Sequence, residues 1–139
     1  MRLESWFWVA QAVSLAGWVA LLFRPGPASI RFARWTAGLL ALGYLALFIL
    51  SWREAGVLAR DYSLAGVSAF FSVKELILLG WVHILAFDLL AGSWEAEEAG
   101  RTGMSRMALI PCLLFTFMLG PLGLILFLAL RGRRDGTSR

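Results

Sequence analysis

Apolar residues fall along this chain in four blocks, Trp6 to Phe23, Trp35 to Trp52, Leu76 to Leu90 with its flanks, and Met107 to Leu130. Each block with its flanks supplies the ~20 residues a helix needs to cross ~30 Å of hydrocarbon. The pattern predicts an all-α integral membrane bundle, with four transmembrane helices near residues 4–23, 34–52, 72–92 and 107–130. Four spans consume most of the 139 residues, so residues 1–139 read as one domain. Trp6, Trp8, Trp35, Trp52 and Trp94 stand at block ends, where indole rings favour the membrane interface, whereas Trp81 lies deep in the third block.

Local signals refine the boundaries. Ser72-Val-Lys-Glu75 matches a capping box and predicts the start of the third helix, with Lys74 and Glu75 read as an interfacial ion pair. In the fourth block, Pro111 and then Gly120-Pro121-Leu-Gly123 predict a helix kinked near Gly120, its bend turned toward Trp81 or His83. Alanines at four-residue spacing, Ala12/Ala16/Ala20 and Ala33/Ala37/Ala41, suit close helix contacts. The first block lacks a basic start and a small-x-small cleavage site, so it reads as a retained span rather than a signal peptide.

Composition agrees with the pattern. The chain is 60% hydrophobic and 16% charged, against about half apolar and a quarter charged in a soluble domain. Its net charge of +4 does not point to nucleic acid, because the arginines sit at block ends, where they set topology and meet anionic lipids. An even number of spans places both termini on one side. That side would carry Arg2, Arg53, Arg60, Arg131, Arg133, Arg134 and Arg139, against Arg24, Arg31, Arg34, Arg101 and Arg106 opposite. The larger set favours cytoplasmic termini. No transit sequence precedes the first block, which suits a bacterial inner-membrane protein; a homo-oligomer is left open.

Candidate chemistry is concentrated in the third block. His83, the only histidine, would lie roughly 15 Å into the membrane, and Asp88 about 7–8 Å further, near the side of Arg24, Arg31 and Arg34. Ionisable groups are costly at that depth and mark functional sites. Two readings stand side by side. In one, His83 satisfies a carbonyl freed by the kink and Asp88 pairs with an arginine. In the other, the two act as proton donor and acceptor in an apolar cavity. One histidine, one deep aspartate and the lone Cys112 do not make a metal site.

The run Trp81-Val-His83-Ile-Leu-Ala-Phe87-Asp88, then Gly92-Ser93-Trp94, then Pro111-Cys-Leu-Leu-Phe115-Thr116-Phe117-Met-Leu-Gly120-Pro121-Leu-Gly123 resembles the abscisic-acid-deficient-four-like family of small four-helix membrane proteins. Its plant members act in neoxanthin formation from violaxanthin; an arginine often stands where this chain has Ser93. The resemblance implies a carotenoid or related isoprenoid ligand and a redox-neutral isomerisation that needs an acid and a base but no cofactor. It selects His83 and Asp88 as catalytic, with Trp81, Phe87, Phe115, Thr116, Phe117, Gly120 and Pro121 around the substrate. The competing class is a non-catalytic carotenoid- or lipid-binding accessory protein.

Overall fold

The computed structural model describes residues 3–53, 61 and 63–135, with side chains through Gly132. The described residues form helices and no strand: α1 (Leu3–Phe23), α2 (Pro27–Leu50), α3 (Leu64–Phe70), α4 (Lys74–Thr102), α5 (Arg106–Leu119) and α6 (Pro121–Asp135). Among them α1, α2 and α4 are long and apolar enough to cross a membrane; α5 and α6 are apolar but short. Large apolar side chains point outward all round, Trp8, Phe23, Trp35, Leu42, Ile49, Met107 and Ile125 among them. Such a surface suits lipid rather than water.

Backbone chemistry sets the joints. Pro27 opens α2 at its first turn, where a missing amide hydrogen costs nothing. The expected capping box does not form. Val73 is the N-cap of α4 without a side-chain bond, and Ser72 Oγ instead donates back to Ser68 O at 2.8 Å. Capping falls to Ser63, whose hydroxyl accepts the Gly66 amide at the start of α3. Lys74 and Glu75 make no ion pair, since adjacent residues point to different sides of a helix.

Helix α4 runs ten residues past the expected end at 92. Ser93-Trp94-Glu95-Ala96-Glu97-Glu98-Ala99 continues it readily because the glutamates find partners. Arg34 Nη2 lies 2.6 Å from Glu97 Oε2, and Arg101 Nη2 lies 2.6 Å from Glu98 Oε1. The helix stops at Gly103, with Met104 N bonded to Ala99 O. Its stretch between Glu75 and Glu95 carries only His83 and Asp88 as ionisable groups, and its ~28 Å matches the hydrocarbon thickness.

The fourth block is not a kinked span. It folds back on itself. Gly120 takes φ +44, a value L-residues avoid, and Pro121 starts a new helix there. Contacts on both arms fix the direction. Arg106, at the start of α5, donates to the carbonyls of Leu22 and Phe23. Gly120 then lies against Asp88, and on the returning arm Phe127 meets Trp94, with ring centroids 5.4 Å apart. Arg131 Nη2 ends 3.0 Å from Glu98 Oε1. Helices α5 and α6 thus form a hairpin that descends beside α4 to the level of Asp88 and climbs back. Gly123 packs directly on the backbone and hydroxyl of Thr116, a contact with no room for a Cβ.

Leu3 lies beside Lys74 in a shared groove, whereas Arg131 reaches Glu98 near the other end of α4. The two ends of the described chain therefore sit at opposite ends of the bundle, contrary to the reading from four spans. Packing between α1, α2 and α4 uses Trp18, Leu21, Ala33, Ala37, Leu76 and Leu89. On α2 the alanine stripe is partly the contact face, through Ala33 and Ala37, whereas Ala12 and Ala16 on α1 are exposed and Ser14 and Gly17 face inward instead.

Candidate functional site

One face of α4 carries Trp81, Asp88 and Glu95 at seven-residue spacing, two turns apart each time. The hairpin lies along the upper part of this face. Glu95 is fully buried, and Thr116 Oγ1, also fully buried, donates to its Oε1 at 2.7 Å. Glu95 Oε2 has no partner among the described residues. Cys112 stands one turn before Thr116, likewise buried, with its thiol on Ala108 O. A buried carboxyl held by a hydroxyl is the polar tie between the hairpin and α4. Replacing Thr116 by Val keeps the shape and removes the donor; we expect a loss of about 1–3 kcal/mol. Glu95→Gln, which retains an acceptor, should cost distinctly less. Thermal unfolding in detergent checks the pair, and equal losses would mean that the carboxyl group itself matters beyond its hydrogen bond.

Asp88 is the midpoint of α4, half-buried, with its carboxyl against Gly120. A Cβ on Gly120 would come 2.8 Å from Asp88 Oδ1. The expected arginine partner is not there. Among the described residues Asp88 has neither an ion pair nor a hydrogen bond. The reason is the length of α4, which carries the arginine-rich end further away than a helix ending at 92 would. Arg34 reaches only as far as Ser93, with its Nε 3.4 Å from the hydroxyl, while its other nitrogens hold Glu97.

His83 and Asp88 are not brought together. His83 lies one residue round the helix from buried Val82 and points outward, stacked on Phe87 at 4.5 Å and beside Tyr44 at 5.8 Å. Nor does the hairpin turn meet His83; it meets Asp88. Phe87 and Phe115 are exposed. Trp81 donates its indole N–H to Gln11 Oε1 at 2.9 Å and stacks near Phe7. Phe117 packs edge-on against Trp18. Of the aromatic residues expected around a ligand, Phe117 faces a groove of about 400 Å³ between α1, α4 and α5, which Trp8, Gln11, Ser14, Leu15 and Leu85 also line. Leu85 is one turn from Asp88, and Phe117 one turn from Gly120.

Three polar residues of this region do not emerge from the sequence reading. Glu95 was hidden by placing the helix end at Gly92, although its spacing from Asp88 was visible. Gln11 and Ser14 are the uncharged polar residues of the first block's centre, three apart and hence on one face. Ser14 is buried and its hydroxyl has no partner among the described residues. No three His, Cys, Asp or Glu side chains converge among the described residues.

This order of elements, with Asp88 meeting Gly-Pro-x-Gly, can be compared with known families. A family model described as ABA DEFICIENT 4-like matches residues 5–127. The chain belongs to the ABA4-like family. The match takes in the three long helices, the acidic face of α4 and most of the hairpin. In this ABA4-like protein Ser93 has the guanidinium of Arg34 from α2 beside it. No curated protein and no solved structure matches the chain.

Proposed function

We propose that this ABA4-like protein is a cofactor-independent isomerase of an oxygen-bearing isoprenoid, of the epoxy-carotenoid kind, with Asp88 as the proton-transferring group. The observation that carries the reading is the carboxyl of Asp88. It stands mid-helix with no cation or hydrogen bond among the described residues, one turn along α4 from Leu85, which lines an apolar groove. A structural carboxyl at such depth would be paired. The Ser14 hydroxyl, buried beside that groove without a partner among the described residues, adds a polar group close by.

The chemistry is balanced by one shuttled proton. Asp88 takes a proton from the carbon next to the epoxide-bearing ring. The electron pair of that C–H bond becomes a new double bond, the carbon–oxygen bond of the epoxide breaks, and the proton goes to the oxygen. Substrate and product are isomers, so no oxidant is consumed. His83, about 140° round the helix from Asp88, would meet a ligand on the lipid-facing side.

The test is conversion of an epoxy-carotenoid in liposomes by wild type, Asp88→Asn and His83→Ala. Loss of about 10²-fold or more in Asp88→Asn, the range of general acid–base catalysis, with a smaller effect in His83→Ala, supports the assignment. Full activity of Asp88→Asn refutes it. A carotenoid- or lipid-binding accessory role is the second reading. A run of half-buried and exposed rings favours it, Trp52, Phe48, Tyr44, His83 and Phe87, each within 6.3 Å of the next. Such a binder would co-purify pigment unchanged.

The charge distribution supports one membrane orientation. Among the described residues Arg24, Arg31, Arg34, Arg101, Arg106 and Arg131 flank one end of the bundle, and Arg53 and Lys74 the other. By the positive-inside rule the hairpin opens to the cytoplasm and the start of α1 lies outside, in a bacterial inner membrane or its equivalent.

A further inference from the structure

At the arginine-rich end a cavity of about 240 Å³ opens between the end of α1, α4 and the start of α5. Arg24 and Arg106 stand on its wall; Ala96, Gly100, Met104 and Leu109 supply much of the rest. The nearby carboxylates are already neutralised, Glu97 by Arg34 and Glu98 by Arg101 and Arg131. No carboxylate pairs with Arg24 or Arg106 among the described residues. Arg106 is nevertheless fixed, because one of its nitrogens holds the last carbonyls of α1. Its remaining N–H groups are left for another acceptor. The result is a concave, net cationic site with an apolar floor, just beyond the uncharged stretch of α4 and so at headgroup depth.

We propose that this cavity binds a phosphate group, that of an anionic phospholipid seated with its glycerol end over Met104 and Leu109. Guanidinium groups suit phosphate by charge and by paired N–H geometry. A phosphodiester brings the negative charge that two arginines without carboxylate partners require, and the apolar floor accepts the adjoining carbon chain. A free phosphate ion would use the same two arginines but not the floor.

Two variants separate the cavity from general surface charge. Arg24→Gln removes one cation. Gly100→Leu leaves every charge in place and fills the cavity, since a side chain at Gly100 meets open space and leucine favours a helix. Full-length protein is purified in a neutral detergent and titrated with phosphatidylglycerol, with phosphatidylcholine, or with inorganic phosphate. Native mass spectrometry counts bound lipid, and the thermal midpoint follows all three probes. The expected result is one tightly held phosphatidylglycerol per chain, bound at least about tenfold more weakly in Arg24→Gln, the effect of one charge-assisted hydrogen bond. Gly100→Leu should lose it while keeping the unliganded midpoint of wild type. Protection by inorganic phosphate that both variants abolish would support the site with a free ion as its ligand. Equal binding of phosphatidylcholine, or phosphatidylglycerol binding unchanged in Gly100→Leu, would overturn the proposal.

Discussion

A reporter fused ahead of Leu3 and a second fused beyond Arg131 will register opposite faces of the membrane. Three helices are long and apolar enough to cross, and both ends of the hairpin lie at one end of the bundle, because Arg106 is tied to the end of α1 and Arg131 to Glu98. A single crossing by the fourth block would carry residue 131 about 16 Å beyond the turn at Gly120 in the opposite direction, at 1.5 Å per residue. It would then lie level with the start of α4 and far from Glu98. The effect is all-or-none, since a terminus is on one face or the other. Alkaline phosphatase and fluorescent-protein fusions at both ends read it directly. Agreement between the two fusions on one face would restore four crossings and dismantle the hairpin.

The second large effect is expected at Gly123. A Val there places a branched carbon into the backbone of Thr116, which no rotamer change relieves. The arms must separate, and separation breaks the Thr116–Glu95 hydrogen bond and the seating of Gly120 on Asp88 together. Overpacking of a well-filled core costs about 1–3 kcal/mol when side chains yield; against backbone we expect the upper end or more. That is a large part of a typical stability of about 5–15 kcal/mol. Gly38→Ala and Gly43→Ala on α2, where an added methyl meets open space, should be neutral or slightly stabilising. The readout is the fraction of monodisperse protein in detergent after heating. A Gly123→Val protein as stable as Gly43→Ala would show that the arms do not pack as described.

Hydropathy made the three long helices legible, because a crossing needs a continuous apolar run and little else. The same property concealed the hairpin. Two dozen apolar residues satisfy a bilayer equally well whether they cross it once or enter halfway and return. The discriminating signal was local. Gly120 followed by Pro121 is a helix stop beside a helix start, with a residue tolerant of positive φ next to one suited to the first turn. A proline inside a continuing helix gives a kink; at this junction it gives a reversal. Asp88 was legible as an unusual residue but not its environment, since its solitude depends on how far α4 extends. Glu95 was missed for the same reason. His83 illustrates the opposite limit, for depth along a helix says nothing about which way a side chain faces.

The hairpin also changes what the cell must do to make this protein. Helices α1, α2 and α4 have to be handed into the bilayer with polar segments carried across between them. Helices α5 and α6 require no such passage, because Arg131 near the end of α6 lies at the end of the bundle where α5 began. Their seat is the cleft already formed by α1 and α4, with Trp18, Glu95 and Asp88 waiting on its walls. Insertion of this last segment is therefore a docking event between protein surfaces. A bulky folded cargo attached after it adds no load to the translocation machinery.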